Sequence, residues 1–246
     1  MDVKRTIDIN CDLGEGMSND ADLMAFISSC NIACGGHFGT RETIRSTVQL
    51  AKLHGVKVGA HPSYPDKENF GRKSMSISSS ELAASLHGQI SDFLSVCKEE
   101  GVNPNHIKLH GALYNDCSTN ESLAEVIRGV YEGLNLNIPM YAPPNSALSS
   151  KIENTISEAF IDRRYNENGT LVSRAQPNAL IEDSTQAWNQ LVRMYVDQEV
   201  VSSNGEVIPM SAETFCLHGD ANNARDIAEF IGTKLDSSNI SLDRNG

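Results

Sequence analysis

Basic side chains are scarce in this sequence. Twenty Lys and Arg stand against 32 Asp and Glu, a formal charge of −12. Binding to a phosphate backbone needs the opposite balance, clustered on one face, so a nucleic-acid partner is excluded. The acidity favours solubility more than any particular ligand. No apolar run approaches the ~18 residues of a membrane span, and Met1 to Asp12 lacks the basic-then-apolar order of a signal peptide. None of the six cysteines forms a C-x-x-C pair. Without a secretory signal, that pattern reads as reduced thiols in a cytoplasmic protein. Cys30 and Cys34, four apart, read as small buried residues around a strand rather than half of a zinc site. Several motifs are missing too: G-x-G-x-x-G, the P-loop G-x-x-x-x-G-K-[ST], G-x-S-x-G and H-E-x-x-H. Their absence argues against dinucleotide binding, an ordinary P-loop, a serine-hydrolase elbow and a zincin helix. The chemistry left to the chain is carboxylate, imidazole, ammonium and guanidinium.

What the sequence does contain is a recurring unit: a short apolar strand, a polar elbow, then an amphipathic helix. That alternation predicts a parallel sheet with helices packed outside it. Strands are expected at 6–10, 31–34, 57–60, 107–110, 139–142, 159–162 and 214–218. Helices are expected at 40–54, closed by Gly55, and from a Ser78/Glu81 capping box to Gly101. Three more follow a Ser118/Glu121 box, begin near Ser184, and begin at about Ala221. A length of 246 residues suits one α/β barrel. With no linker or composition shift, 1–246 reads as a single β/α-barrel domain, preferred over an open doubly wound sheet.

Polar groups gather where the strands end: Asn10, Asp12 and Glu15; His37; His61 and Tyr64; Lys108 and His110; Asp162 and Arg163; His218 and Asp220. In barrels and open parallel sheets alike, that face binds ligands. Alternation separates Asp8, Asn10 and Asp12 from Ile7 and Ile9, and Lys108 and His110 from Ile107 and Leu109. One strand-end His or Asp is ordinarily a hydrogen-bonding residue or a cap. Six such ends together point to a site, because buried Lys, His and Asp need partners or a polar ligand. His54, His87 and His106 read as structural residues on helices or a loop. Pro62 and Pro65 stiffen the loop carrying His61, and Phe70-Gly-Arg72 is placed to cover the mouth.

In order, Asn10-Cys-Asp-Leu-Gly-Glu15, Asn31-Ile-Ala-Cys-Gly-Gly-His37, Gly59-Ala-His-Pro-Ser-Tyr-Pro65, Lys108-Leu-His-Gly-Ala-Leu-Tyr-Asn115, Glu158-Ala-Phe-Ile-Asp-Arg-Arg-Tyr165 and Leu217-His-Gly-Asp220 resemble the signatures of the lactam-utilisation family. The resemblance runs from about Ile7 to Ile231. Two places depart from the family pattern: Gly36 stands where Phe is usual, with Phe38 expected to fill that space, and Leu171-Val-Ser-Arg174 replaces Leu-Val-Pro-Arg.

The resemblance implies a seven-stranded, irregular, TIM-like β/α barrel similar to the polysaccharide deacetylases. It implies opening of 5-oxo-L-proline to L-glutamate coupled to ATP hydrolysis, as the A subunit of a prokaryotic 5-oxoprolinase working with subunits B and C. On that basis Asp12 is the candidate general base or water-orienting group, supported by Glu15. His37, His61 and His110 are candidates for proton transfer, and Lys108 and Arg163 for offsetting charge on oxygens. Asn10, Tyr64, Arg72, Tyr114, Arg163, His218 and Asp220 are the candidate substrate-binding residues, Asp220 orienting His218. ATP enters as co-substrate, bound together with the partner subunits. A divalent ion among Asp12, His61 and His110 is chemically reasonable, though the sequence does not demand one. A metal-dependent deacetylase or amidohydrolase without ATP, and a non-catalytic scaffold protein of the same complex, are the alternatives.

Overall fold

The computed structural model describes residues 5–244. Ten strands occur among them: β1 (Arg5–Leu13), β2 (Ser29–Ala33), β3 (Lys57–His61), β4 (Pro104–Lys108), β5 (Met140–Ala142), β6 (Thr155–Phe160), β7 (Glu199–Val201), β8 (Val207–Pro209), β9 (Thr214–His218) and β10 (Ile240–Leu242). The α-helices are α1 (Asp20–Leu23), α2 (Arg41–His54), α3 (Ser79–Glu100), α4 (Gly111–Thr119), α5 (Glu121–Gly133), α6 (Ala147–Lys151), α7 (Ser184–Val192) and α8 (Ala224–Ser237).

Seven strands pair in parallel in the order β1-β2-β3-β4-β5-β6-β9, and β9 pairs back onto β1 from Asp8↔Thr214 to Asp12↔His218. The ring is closed, as expected. Its irregularity is local: β10 adds to the start of β1, and the β7–β8 antiparallel hairpin stands apart from the barrel sheet. Along β1 the alternation works as the sequence suggests. Ile7, Ile9, Cys11 and Leu13 are buried in the apolar layer shared with the helices, where Ile7, Ile9 and Leu13 each contribute roughly 1.5–3 kcal/mol by leaving water. Asp8, Asn10 and Asp12 take the other side, the barrel interior. Cys30 and Cys34 are buried thiols of the apolar core, and burial raises the pKa of both.

The helix stops were legible. Thr40 caps α2, Ser78 and Glu81 form a capping box on α3, and Gly55 and Gly101 close the two helices at φ 64° and 63°. The Ser118/Glu121 box is not formed. Ser118 still lies in the last turn of α4, bonded to the Asn115 carbonyl, and Asn120 caps α5 by accepting from Leu123 N. β4 begins and ends earlier than expected, so His106 lies on a strand rather than a loop. β6 likewise ends at Phe160, leaving Asp162 and Arg163 in the segment beyond it. No helix among the described residues is long and apolar enough to cross a membrane.

Candidate active site at the barrel mouth

The barrel interior is polar and internally bonded. Asn10 donates to Glu158 Oε1 at 2.9 Å and to Thr214 Oγ1 at 2.8 Å. Asn31 donates to Asn10 Oδ1 at 2.7 Å and to Asp12 Oδ1 at 2.8 Å, and its own oxygen accepts from His106 Nε2 at 2.6 Å. His106 is wholly buried and stacked on Tyr141, with ring centroids 3.9 Å apart. It enters the barrel because β3 has Gly59 opposite, where a Cβ would collide with the imidazole. Asn10 therefore holds Lys108 directly, and Asp12 through Asn31, from below, and does not line the mouth cavity.

Lys108 is the hub. Its ammonium lies 2.9 Å from Asp12 Oδ1, 2.9 Å from Glu158 Oε1, 2.9 Å from Cys216 Sγ and 3.2 Å from Asn10 Oδ1, with 1% of its surface exposed. Burial alone would discharge it, but Asp12, Cys216 and Glu158 outweigh burial and hold its pKa well above the usual lysine value. Burial likewise works against the Asp12 anion. His61 and Lys108 prevail and keep that carboxyl well below its usual range. The result is an ionised carboxylate and an ammonium fixed side by side at the end of β1 and β4.

Above them sit two imidazoles. His61 Nδ1 faces the Lys108 carbonyl at 2.9 Å and His110 Nε2 faces the Phe70 carbonyl at 3.0 Å, so both of these nitrogens must donate. Their other nitrogens, His61 Nε2 and His110 Nδ1, then meet at 2.9 Å, with Asp12 Oδ2 3.4 Å from the first. In the neutral tautomers those are two lone pairs and a carboxylate oxygen converging on one point, an arrangement that calls for a cation. The donor set fits a divalent ion. His37 stacks on His110 at 3.6 Å and bonds Glu15 Oε1 at 2.9 Å through Nε2. Burial, reinforced by His61, pushes the His37 pKa down to about 2, and burial with Asp12 and Asp220 raises Glu15 well above the carboxylate range. Burial first, then His37 and His61, lowers His110; Lys108 has no leading part, its charge being matched by Asp12 and Glu158.

A cavity of about 750 Å³ opens over this group. Asp12, His61, Lys108 and His110 reach it from below; Arg72, Tyr114, Arg163, Arg174 and His218 line its walls. The loop through Phe70-Gly-Arg72 covers one side, held by Ala112 N donating to the Gly71 carbonyl at 2.9 Å and by an Arg72–Asp220 ion pair across the mouth. Three expectations need correcting. Asp220 does not orient His218: Asp162 does, accepting from His218 Nδ1 at 2.9 Å, while Asp220 belongs to Arg72. Tyr64 is not at the mouth, since its hydroxyl donates to Asp116 Oδ2 at 3.0 Å and it lines a separate depression with Leu82 and Leu123. Phe38 does not fill the space beside Gly36, which Gln89 and Ser63 occupy; it packs over Gly16.

Sequence reasoning gave no role to Glu158, Asn31, His106 and Arg174, and it placed Asp162 at a strand end without pairing it to His218. Parity offered a signal for some of these: Asn31 lies opposite Asp12 in the β1–β2 register, and His106 is two residues before Lys108. Arg174 comes from a segment without regular structure, where no periodicity signals a direction.

Architecture and site define a class: closed parallel β/α barrels whose ligand site lies at the C-terminal ends of the strands. The chain belongs to the LamB/YcsF family, matching it over residues 7–245. It is 38% identical to the 5-oxoprolinase A subunit of Haemophilus influenzae (strain PittEE), covering 97% of this chain and 99% of that one. The lactam utilization protein of Thermus thermophilus superposes with a TM-score of 0.90 at 30% identity, over 98% of this chain and 100% of that. The peptidoglycan deacetylase PdaC of Bacillus subtilis gives a TM-score of 0.49 at 11% identity, over 97% of this chain and 87% of that.

Proposed function

We propose that this chain, acting as one barrel domain in the cytoplasm, is the A subunit of an ATP-dependent 5-oxoprolinase that opens 5-oxo-L-proline to L-glutamate with subunits B and C. The observation that carries the reading is the Asp12–Lys108–Glu158 ion cluster beneath the His61–His110 pair, at the floor of a cavity large enough for a small cyclic amide. The naming of the Haemophilus influenzae relative supports it.

The energetics explain the ATP. A five-membered lactam is nearly unstrained, and glutamate recloses intramolecularly at high effective molarity. Phosphorylation of the amide oxygen by ATP, with the partner subunits contributing to nucleotide binding, releases ADP and makes the carbonyl carbon accept water; the C–N bond then breaks, and a second water releases the phosphoryl group as inorganic phosphate. Asp12, kept ionised, orients the first water and takes its proton. Lys108 offsets negative charge developing on oxygen. The His61–His110 pair passes a proton to the departing ring nitrogen, and Glu15 with His37 holds His110 in place. Tyr114, Arg72, Arg163, His218 and Asp220 bound the substrate. A divalent ion held by Asp12, His61 and His110 would occupy the nitrogens of that relay and supply Lewis acidity in its place.

The test is reconstitution. Glutamate and ADP should appear together when this chain is combined with purified subunits B and C, and neither when it is omitted. Efficient ATP-dependent turnover by the isolated chain would refute the division of labour. The convergence of Asp12, His61 and His110 favours one rival specifically, a metal-dependent amidohydrolase. ATP-independent release of acetate or ammonia from another amide would establish it. Full activity in strand-end variants would instead leave the chain a scaffold.

A further inference from the structure

Arg163 follows β6 with only 4% of its surface exposed. Its hydrogen bond among the described residues goes to the Val172 carbonyl, at 2.6 Å, and its Nε is buried with no partner. It forms no ion pair among those residues, although it lines the mouth cavity. Arg174 lines the same cavity. Its nearest acid is Asp220, 3.9 Å away, which is already paired with Arg72. The other carboxylates nearby are committed as well: Asp162 to His218, and Asp12 and Glu158 to Lys108. Arg72 and Arg174 thus share one carboxylate, and Arg163 has none within ion-pair reach among the described residues, in a protein whose overall charge is −12. A buried guanidinium without a counter-charge is costly. Burial, and Arg174 beside it, lower the Arg163 pKa to about 10. Such an arrangement is relieved by an anion that arrives with the ligand.

We propose that Arg163 and Arg174 form an anion subsite that binds the carboxylate of the substrate and turns its ring towards Asp12, Lys108 and the His61–His110 pair. The planar fork of a guanidinium matches a planar carboxylate; Arg174 can offer two parallel hydrogen bonds, and Arg163, with Nη2 already donating to the Val172 carbonyl, adds its remaining donors and its charge. Arg174 is therefore a specificity-determining residue, and the cavity selects acids over neutral amides. The identity of the ligand as a lactam acid rests on the proposed function; its negative charge does not. A phosphoryl group is the other anion of the reaction and would engage the same chemistry, so the test includes it.

Calorimetric titration of the full chain separates these cases, using 5-oxo-L-proline, its uncharged 5-oxoprolinamide, glutarate and inorganic phosphate. The acid should bind at least about tenfold more tightly than the amide. Arg174→Gln, at a half-buried position, should abolish that preference by weakening the acid alone and leaving amide affinity unchanged. Asp220→Asn removes the competing carboxylate and should tighten the acid. Equal affinity for acid and amide, unchanged acid affinity in Arg174→Gln, or no carboxylate binding at millimolar concentration overturns the subsite. Arg174-dependent binding of phosphate in preference to every carboxylate overturns its assignment to the substrate's carboxylate. Arg174-dependent binding of glutarate without 5-oxoproline leaves the subsite standing and removes the lactam reading.

Discussion

At the N-terminal end of the barrel, Lys57 reaches Asp8 at 2.8 Å and Asp243 at 3.2 Å, and the hydroxyls of Ser29 and Thr214 complete the bonding of Asp8. At the C-terminal end, Lys108 is matched in the same way by Asp12 and Glu158, but the neighbouring groups are not. His61 Nε2 and His110 Nδ1 face each other at 2.9 Å, and among the described residues the Nε of Arg163 has no partner. A buried or half-buried lysine between two carboxylates stands at both ends. One end closes its bonding within the protein and acts as a seam between strands; the other leaves acceptors and a cation open, and the remaining partner has to come from outside. Unfinished bonding in a buried place, more than the presence of charge, distinguishes the end where we propose that the substrate binds.

Substitutions at the two ends should separate these roles. The largest effect is expected from Lys108→Met, which leaves Asp12 and Glu158 as buried carboxylates without their ammonium. It should cost about 3–5 kcal/mol of stability and all measurable turnover, read by urea denaturation and by the reconstituted assay. Asp12→Asn keeps the shape and removes the charge. Turnover should fall by about 10²–10⁴-fold in a sample that still folds but melts at a lower temperature, because Lys108 keeps only Glu158 as a carboxylate partner; near-normal turnover in that folded sample would remove Asp12 from the chemistry. Lys57→Met, at the closed end, should cost about 1–3 kcal/mol while activity per folded molecule stays at the wild-type level. A loss of activity there would erase the contrast between the ends.

The smallest effect concerns pH. The Glu15 carboxyl is held above its usual range by burial, then by Asp12 and Asp220. Between its unfolded value, ~4.3, and its raised native value, the native state holds more proton than the unfolded one, so stability falls as pH rises through that window. Glu15→Gln removes this contribution. In chelator-treated protein, denaturation from about pH 4 to about pH 8 should show a shallower decline for the variant, and an identical slope would mean that Glu15 is not the group responsible.

Much of this was readable beforehand, for reasons that differ by element. The parity of Asp8, Asn10 and Asp12 on β1 holds because one face of a barrel strand must meet helices. The capped ends of α2 and α3 hold because their signals are local to a single turn. The Ser118 box failed because α4 runs into α5 with Asn120 as the joint residue, and the hydroxyl of Ser118 was already committed within α4. The choice between Asp162 and Asp220 as partner of His218 was not legible at all: it depends on how the segment after β6 lies against the end of β9, a long-range fact. His106 was misplaced because β4 begins at Pro104, two residues before it, and not after it. Side chains that line the mouth from a segment without regular repeats, such as Arg174, leave no periodic pattern in the sequence.

The absent side chain at Gly59 has a consequence for how related sequences vary. Because the His106 ring occupies the volume that a Cβ at 59 would take, neither position is free to change alone. An alanine at 59 evicts the imidazole, which would break its bond to Asn31 and so loosen the support beneath Asp12. Substitutions that keep the barrel intact should therefore arrive in pairs, a larger residue on β3 accompanied by a smaller one on β4. The two sites carry one shared degree of freedom, and a mutational scan that varies them singly will record intolerance at both while a joint library recovers folded proteins.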